Sequence, residues 1–366
     1  MREPGEVRRQ RILAVVQARG AVRVADLAAE LEVSVVTARR DVEELARAGR
    51  LRRGHGIARP LTAAGEPAAA PPARTASPDG PVALVVPERH TYLYEIMDGA
   101  RAVLAAAGLR TVLHITPSAP GTERTVVERA LADGAQGLLL APRWRTAALE
   151  EADARWLAGT GVPIVLMERR PRPGSPLHAV DSVCSDHWYG AWLAVEHLVS
   201  LGHRRIVLAA RDDSPTARAL RAAFADVIAA RPEVEDTEVV LSARDAGPDP
   251  AAAPASLAAL LRARGATAAV LHGDVDALLL VQQLADSGLR VPEDCSVVAY
   301  DDVVAALGST PLTAVAPPKR EVGRVAAGLL LERLGELPDE PAGRPRRVEL
   351  LPELKVRGST EARSIV

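Results

Sequence analysis

The sequence predicts a multidomain protein, in which an N-terminal winged helix-turn-helix, mainly α-helical, precedes a larger α/β region with parallel sheets. Residues 1–59 hold three short helical patterns and then a basic hairpin. Residues 60–80 are dense in Pro and Ala and have no apolar period, which is typical of a semi-flexible linker. From residue 81 onward, short β-rich runs alternate with helical-period stretches. A chain of 366 residues has room for two or three domains.

The charges are distributed unevenly, although the net charge is only −2. Residues 1–60 carry 13 Arg against 8 acidic residues, whereas the remainder carries 32 basic and 39 acidic residues. A basic head on an acidic body indicates a local contact with a polyanion. Chance clustering is the alternative interpretation.

The cysteines and the apolar runs exclude several protein classes. Cys184 and Cys295 are the only cysteines and have no CxxC spacing, so we expect neither a disulfide nor a zinc site. Arg8, Arg9 and Arg11 interrupt the first helical pattern, which does not fit a signal peptide. No apolar run reaches about 18 residues, so we expect no membrane span and a cytoplasmic protein without cofactor or metal.

Three helices are predicted in the head. Glu6–Arg19 forms the first and Asp26–Leu31 the second. Ser34 is a suitable N-cap for a third helix that runs to about Ala48. Its apolar positions, spaced for one buried side, are Ala38, Val42 and Leu45. Its opposite side carries Val36, Arg40, Glu43 and Arg47.

The third helix alone allows two interpretations. Thr and Arg near its start suit a recognition helix whose first turn enters a DNA groove. Alternatively, it is a solvated helix whose arginines pair with Asp41 and Glu44. The following segment GRLRRGHGI favours the first interpretation, because it places basic side chains in a short hairpin that could lie along a phosphate backbone.

Over about fifty residues the head resembles the DeoR-type winged helix family. The most specific matches are VS–T–RRD at Val33–Asp41 and G–L–R–HG at Gly49–Gly56. The resemblance implies binding to double-stranded operator DNA through the third helix and the wing. The DNA-binding candidates are Ser34, Thr37, Arg39, Arg40, Arg52, Arg53 and His55.

The region after the linker contains eight predicted strands. They are Val82–Val86, Thr111–Ile115, Gly137–Leu140, Pro163–Met167, Arg205–Leu208, Thr237–Leu241, Ala268–Leu271 and Val297–Tyr300. Buried strands that alternate with helices predict a parallel sheet covered on both faces. The periodicity leaves open whether the strands close into one barrel or divide into two lobes.

Residues 81–360 resemble the ligand-binding core of the lactose-repressor (LacI/GalR) family, which is itself similar to periplasmic sugar-binding proteins. The resemblance rests on SDHWYGAWLAVEHLVSLGHRRIVLAA (185–210), SPTARALRAAF (214–224), VPEDCSVVAYDD (291–302), STPLTAV (309–315) and PELKVRGST (352–360). It implies two lobes with a ligand cleft between them. The expected N-lobe is about 81–181 with 314–340, and the expected C-lobe is about 182–311 with 345–358. The crossovers are expected near Asp181, Pro311–Val315 and Pro345–Leu350.

The resemblance also implies ligand-binding residues. Asp186, Arg218 and Asp301 match cleft-facing groups of the family, and Asp274 lies at a strand-to-helix turn where ligands bind in such folds. Gly273 stands where many relatives have Asn, which argues against an ordinary hexose. Acidic acceptors and a bidentate guanidinium suit a polyol. An interlobe salt bridge is the alternative for Asp301 and Arg218.

Three aromatic residues are further ligand candidates, because aromatic platforms complete many small-molecule sites. They are Tyr92, Trp144 and Trp188. Packing in the core or at the lobe interface is the alternative for each.

Together the two resemblances imply a transcriptional regulator, acting as a repressor, whose operator affinity depends on a sugar-like effector. A homodimer through the helix Tyr94–Ala107 is expected from the second resemblance. The linker replaces the hinge helix that this family usually carries. A sugar-binding or transport-type binding protein without regulatory coupling is one alternative. An enzyme is the other, and no nucleophile elbow, Walker A, HExxH or GxGxxG motif supports it.

Overall fold

The computed structural model describes residues 8–9, 12–13, 15–16, 22–31, 33–47, 50–54, 57–59, 80–88, 91–117, 119, 121–211, 214–241, 256–335 and 343–363. The chain divides into two compact units, Met1–Pro72 and Ala73–Val366. Their boundary falls inside the predicted linker, and residues 60–79 of that linker lie outside the described part of the chain.

The N-terminal unit combines three helices with a small antiparallel sheet. Helix α1 is described at residues 8–9, 12–13 and 15–16, and is followed by α2 (Val24–Glu30) and α3 (Val35–Arg47). The strands are β1 (Val22–Arg23), β2 (Arg52–Gly54) and β3 (Ile57–Arg59), in the order β1-β3-β2. The predicted hairpin is therefore present as β2 and β3. Strand β1, which was not predicted, adds a third strand.

Helices α2 and α3 differ from the predicted ones only at their ends, and the predicted ends of the first helix, Glu6 and Arg19, lie outside the described residues. Ser34 caps α3 as predicted, since its Oγ accepts a hydrogen bond from the Thr37 amide at 3.1 Å. Helix α2 begins at Val24 rather than Asp26, and Val24 is buried. All three helices share one core with the sheet. Its members include Ile12, Leu13, Val16, Leu27, Val42, Leu45, Leu51 and Ala58.

The second unit has two lobes, each built on a six-stranded sheet. The first lobe, here called the N-lobe, has the strand order β14-β8-β7-β6-β4-β5, with all neighbours parallel. These strands are β4 (Val82–Pro87), β5 (Thr111–Thr116), β6 (Gly137–Leu140), β7 (Ile164–Met167), β8 (Asp181–Ser185) and β14 (Arg347–Leu350). Its helices are α4 (Tyr94–Ala106), α5 (Thr122–Ala132), α6 (Ala147–Ala158) and α11 (Lys319–Leu334).

The C-lobe has the strand order β10-β9-β11-β12-β13-β15, parallel except for the antiparallel pair β13 and β15. Its strands are β9 (Arg205–Ala210), β10 (Asp236–Leu241), β11 (Ala268–His272), β12 (Ser296–Tyr300), β13 (Thr313–Ala316) and β15 (Glu353–Lys355). Its helices are α7 (His187–Ser200), α8 (Pro215–Ala229), α9 (Leu257–Arg264) and α10 (Asp274–Asp286). The fold is therefore the two-lobed one, and the barrel alternative is excluded.

The chain crosses between the lobes three times, at positions that correct the expected boundaries by a few residues. Strand β8 lies wholly in the N-lobe, so the first crossover is at Asp186 rather than Asp181. Strand β13 pairs in the C-lobe, so the second follows Ala316. Strand β14 pairs with β8 in the N-lobe, so the third follows Leu350. Sequence motifs locate these segments along the chain, but the lobe of a segment is decided by the strand with which it pairs. Because the paired strands are far apart in sequence, the motifs did not give the crossover positions to the residue.

Helix α11 is held in the N-lobe by a close crossing with α4. A Cβ atom on Gly323 would lie 1.9 Å from the Ile96 carbonyl oxygen, and one on Gly99 would lie 2.1 Å from that of Arg320. Both positions require glycine because backbone, rather than a movable side chain, fills the space.

Neither a membrane-spanning helix nor a cluster of metal ligands occurs among the described residues. None of the helices there is both long and apolar enough to cross a membrane. No cluster of three or more His, Cys, Asp or Glu side chains within the same ranges is arranged to hold a metal ion.

Candidate functional site

The surface of α3 offers basic and apolar side chains on one face. Ala38, Asp41, Val42 and Leu45 are buried, whereas Arg39 and Arg40 are exposed on the opposite side. Ser34 and Thr37 are engaged with each other, their hydroxyl oxygens 2.8 Å apart, and they organise the first turn. Arg47 at the end of α3 is exposed as well, so the described structure leaves three guanidinium groups of α3 open to solvent.

Two of the three acids of α3, Asp41 and Glu44, are paired with arginines of α1. Arg8 on α1 donates from Nε to Asp41 Oδ2 at 2.6 Å and from Nη2 to Oδ1 at 3.3 Å. Arg9 pairs with Glu44 at 3.0 Å. The interpretation in which the α3 arginines pair with these acids is therefore wrong, because α1 supplies the cations.

The predicted wing is described only in part. The backbones of Arg52 and Arg53 lie in β2, and their side chains lie outside the described part of the structure. His55 lies outside the described residues altogether.

The cleft between the lobes contains two neighbouring cavities of about 500 Å³ and 320 Å³. Arg169 and Thr216 line both cavities and separate them. The larger cavity brings together the predicted residues Tyr92, Asp274 and Asp301. The smaller one is lined by Trp144, Trp188 and Arg218. Most of these side chains follow the carboxyl ends of parallel strands, where α/β folds bind ligands.

Asp301 has the most unusual environment in the larger cavity. It follows β12 with a positive φ of 89°, is 8% exposed, and its Oδ1 is buried with no hydrogen-bond partner among the described residues. Burial raises the pKa of the Asp301 carboxyl well above its usual range, against the opposing effect of Lys319. The Tyr92 hydroxyl is likewise buried without a partner in the described structure, and burial raises its pKa.

Asp274 lines the larger cavity, but its carboxylate is already hydrogen-bonded to backbone amides. Its Oδ2 accepts hydrogen bonds from the amides of Val303, Val304 and Ala305, at 2.5, 2.5 and 3.1 Å. The carboxylate therefore pins the loop that follows Asp301. This contact gives Asp274 a structural role that the sequence did not indicate.

Arg218 spans the cleft. It lies on α8 of the C-lobe and donates a hydrogen bond from Nη1 to the Arg145 carbonyl oxygen of the N-lobe. Neither Arg218 nor Asp301 forms a salt bridge among the described residues, so the alternative of an interlobe salt bridge is not what the structure contains.

The two tryptophans differ in their environments. Trp144 is 2% exposed, belongs to the N-lobe core, and donates from its indole nitrogen to Asp153 at 2.9 Å. Trp188 is 47% exposed at the smaller cavity. Only Trp188 therefore has an open aromatic surface for a ligand.

Asp186 lines neither cavity. It caps α7, accepting a hydrogen bond at Oδ1 from the Tyr189 amide at 2.9 Å. The structure thus places this predicted ligand residue at the first crossover and not with the others.

A row of buried polar side chains between the lobes was not predicted from the sequence. Glu168, with φ of 54°, accepts a hydrogen bond from Ser185 Oγ at 2.7 Å and lies 3.6 Å from His187 Nε2. His187 Nδ1 is 2.9 Å from the Tyr300 hydroxyl of the C-lobe. Burial lowers the pKa of His187 to about 4, so its imidazole is neutral at pH 7.

Arg169 was also missed, although it separates the two cavities. Its guanidinium donates to the carbonyl oxygens of Ala141, Pro142 and Glu168, and burial lowers its pKa to about 10. At the rim of the larger cavity, Arg211 pairs with Asp276 at 3.1 Å. Their position at the ends of strands could have indicated these residues, since Glu168 and Arg169 directly follow β7 and Arg211 directly follows β9.

Two family models match parts of the chain. The DeoR-like helix-turn-helix domain matches residues 8–63, and the periplasmic binding protein-like domain matches residues 195–360. Curated relatives include the HTH-type transcriptional repressor PurR of Aliivibrio fischeri (strain MJ11), 32% identical over 203 residues. PurR of Haemophilus influenzae is 31% identical over 205 residues. Each match covers 55% of this chain and 58% of the relative, so the chain spans less than two thirds of their length.

Solved structures match over more of the chain. The complex of the transcriptional regulator CelR with cellobiose matches at a TM-score of 0.60 and 27% identity, covering 89% of this chain and 91% of that one. A LacI family regulator from Enterococcus faecium with bound ribose matches at 0.60 and 21%, covering 77% and 99%. At that lower identity the likeness shows the fold alone. The chain thus joins a DeoR-like helix-turn-helix domain to a two-lobed periplasmic binding protein-like domain.

Proposed function

We propose that this protein is a DNA-binding transcriptional repressor whose operator affinity is controlled by a small polar ligand bound between the two lobes. The observation that carries the proposal is the pairing, in one chain, of an α3 surface with open arginines and a cleft with buried polar atoms that lack partners. The relatives named as transcriptional repressors support it.

The chemistry of the cleft favours a polyhydroxylated ligand, a sugar or sugar derivative. Asp301 Oδ1 and the Tyr92 hydroxyl are buried beside an open cavity, and leaving such groups without hydrogen bonds is costly. Ligand hydroxyl groups both donate and accept, so they would satisfy both atoms. The CelR complex with cellobiose is consistent with this class of ligand.

The smaller cavity supplies complementary groups. The half-exposed indole of Trp188 offers a flat apolar face, and Arg218 offers a guanidinium fork that could exchange its carbonyl contact for ligand oxygens. Asp274 would act indirectly, since it fixes the loop after Asp301. Asp186 would contribute by capping α7 at the crossover.

We further propose a homodimer through the N-lobe helix α4. The outer surface beside α4 carries the exposed apolar side chains Tyr94, Leu113 and Ile115. Leu113 and Ile115 lie on β5, an edge strand of the N-lobe sheet. Apolar groups grouped at one surface mark interaction sites, and two DNA-binding heads on a repeated site increase affinity through effective concentration.

Selection from random double-stranded DNA with the full-length protein tests the proposal. We expect an enriched sequence, and Arg40→Ala should weaken its binding by about tenfold. Arg124→Ala, which removes an exposed arginine of the N-lobe, is the matched control and should bind as wild type. Failure to enrich any sequence, or equal binding by Arg40→Ala, contradicts the DNA-binding proposal. Turnover of a bound sugar would instead support the enzyme alternative.

A further inference from the structure

Two large apolar side chains stay exposed in the described part of the N-terminal unit, and they are adjacent. Val36 is 75% exposed and Val35 is 43% exposed, both in the first turn of α3. Exposing a valine to this extent gains nothing for folding, because burial of apolar surface stabilises the folded state. A contact with a partner would account for Val36.

The position of Val36 on α3 is opposite to the core. At 100° per residue, Val36 points about 180° away from the buried stripe that contains Ala38, Val42 and Leu45. Arg40 follows Val36 by four residues and therefore lies beside it on the same face. Val36 therefore lies on a face that carries Arg40 beside it and, further along the helix, Glu43 and Arg47.

The surroundings of Val36 fit a nucleic acid better than a protein partner. The hydroxyls of Ser34 and Thr37 fix the first turn, and Arg39 and Arg40 are exposed on either side of Val36. The Asp41 and Glu44 carboxylates, which would repel phosphate, are paired with Arg8 and Arg9. A small apolar group framed by cations complements one feature of the DNA major groove, the C5-methyl group of thymine.

We propose that Val36 packs against a thymine methyl group in the operator and thereby selects thymine at one position of each half-site. This inference rests on the proposed DNA-binding function. Val36 would act through van der Waals contact alone, while the arginines bind phosphates or guanine. Cytosine lacks the methyl group and would lose the contact.

The test removes the thymine methyl group from one side of the contact and the two γ-methyl groups of Val36 from the other. After selection with the full-length wild-type protein, each thymine of the enriched half-site is replaced singly by deoxyuridine, which lacks only the methyl group. Dissociation constants are then measured for wild type, Val36→Ala and the control Val239→Ala, a valine exposed on β10 of the C-lobe. Burial of one methyl group corresponds to about fourfold in affinity.

We expect wild type and Val239→Ala to lose about fourfold at one particular thymine. Val36→Ala should bind the thymine and uracil forms of that position equally and keep its sensitivity elsewhere. If wild type and Val36→Ala give the same uracil profile, the assignment of Val36 is overturned while the DNA-binding function stands. If wild type enriches no sequence, the proposed function fails and the assignment fails with it.

Discussion

The contact between α4 and α11 allows a prediction with a control in the same helix. In Gly323→Ala the new Cβ would lie 1.9 Å from the Ile96 carbonyl oxygen and 2.8 Å from the Ala100 amide nitrogen. Ordinary contact begins near 3.4 Å, so the two helices must separate by roughly 1.5 Å. Gly328 lies five residues further along α11, and a Cβ there meets nothing within 4 Å.

The two substitutions should change the free energy of unfolding in opposite directions. Overpacking in a close-packed contact costs about 1 to 3 kcal/mol, and a clash with backbone atoms belongs at the upper end. Gly323→Ala should therefore lower the free energy of unfolding by about 3 kcal/mol, or the melting temperature by about 6 °C. Gly328→Ala should gain up to about 1 kcal/mol, because alanine favours a helix over glycine.

Thermal unfolding of the full chain, followed by calorimetry, measures both variants. The difference between their melting temperatures should be about 8 °C. Equal melting temperatures would refute the inference that backbone contact between α4 and α11 holds the second crossover segment in the N-lobe.

Further predictions concern buried charges and their pH dependence. Asp41→Ala should lower the free energy of unfolding by about 3 kcal/mol, because it removes the partner of the largely buried Arg8. Glu44→Ala, at a more exposed ion pair, should lower it by less than about 1 kcal/mol. Hydrogen exchange of the α3 amides compares the two variants, and an equal loss of protection would contradict this difference. Asp274→Ala should cost about 3 kcal/mol by leaving three backbone amides unsatisfied, and Asp274→Asn should cost less; denaturant unfolding measures both. His187 has a folded pKa of about 4, below its ordinary value, so its contribution to stability is present above pH 6.5 and is lost as the pH falls toward 4. The melting temperature of His187→Gln should therefore fall less than that of wild type between pH 6.5 and 4, and parallel curves would contradict the assignment.

Eight of the twelve strands described in the second unit were predicted from the sequence, and six of the eight are buried along almost their whole length. Runs such as Gly137–Leu140 and Val297–Tyr300 are continuously apolar, and the structure places strands over both. The lobe to which a strand belongs was harder to predict from the sequence. Strand β14 pairs with β8, about 165 residues earlier, and a pattern within β14 does not reveal that partner.

Some of the site residues were likewise predictable from the sequence, and others were not. The acid after β12 and the arginine of α8 were found through motifs, and both line the cleft. Trp144 lines the smaller cavity but is almost fully buried, and its indole partner Asp153 and its place in the core become evident only in the folded lobe. Glu168 and Arg169 were missed because the segment ERRPRP has the composition of a solvated loop, although both side chains are buried.

The coupling of ligand to DNA is expected to be modest. If the predicted linker, 60–80, behaves as a flexible chain, its 21 residues would reach on the order of 25 Å and would restrict the spacing of two heads without fixing their orientation. A coupling free energy of roughly 1 kcal/mol follows, which is about a fivefold change in operator affinity.

The most direct test of the regulatory proposal measures operator affinity with and without a ligand found by thermal-shift screening of sugars. For wild type and for the exposed control Asp133→Ala, we predict that saturating ligand changes the operator dissociation constant by about fivefold. Asp301→Ala and Arg218→Ala should bind the operator as tightly as wild type without ligand and show no ligand response. If both cleft variants respond to the ligand as wild type does, or if no ligand that binds the protein changes operator affinity, the account of a ligand-controlled repressor is contradicted.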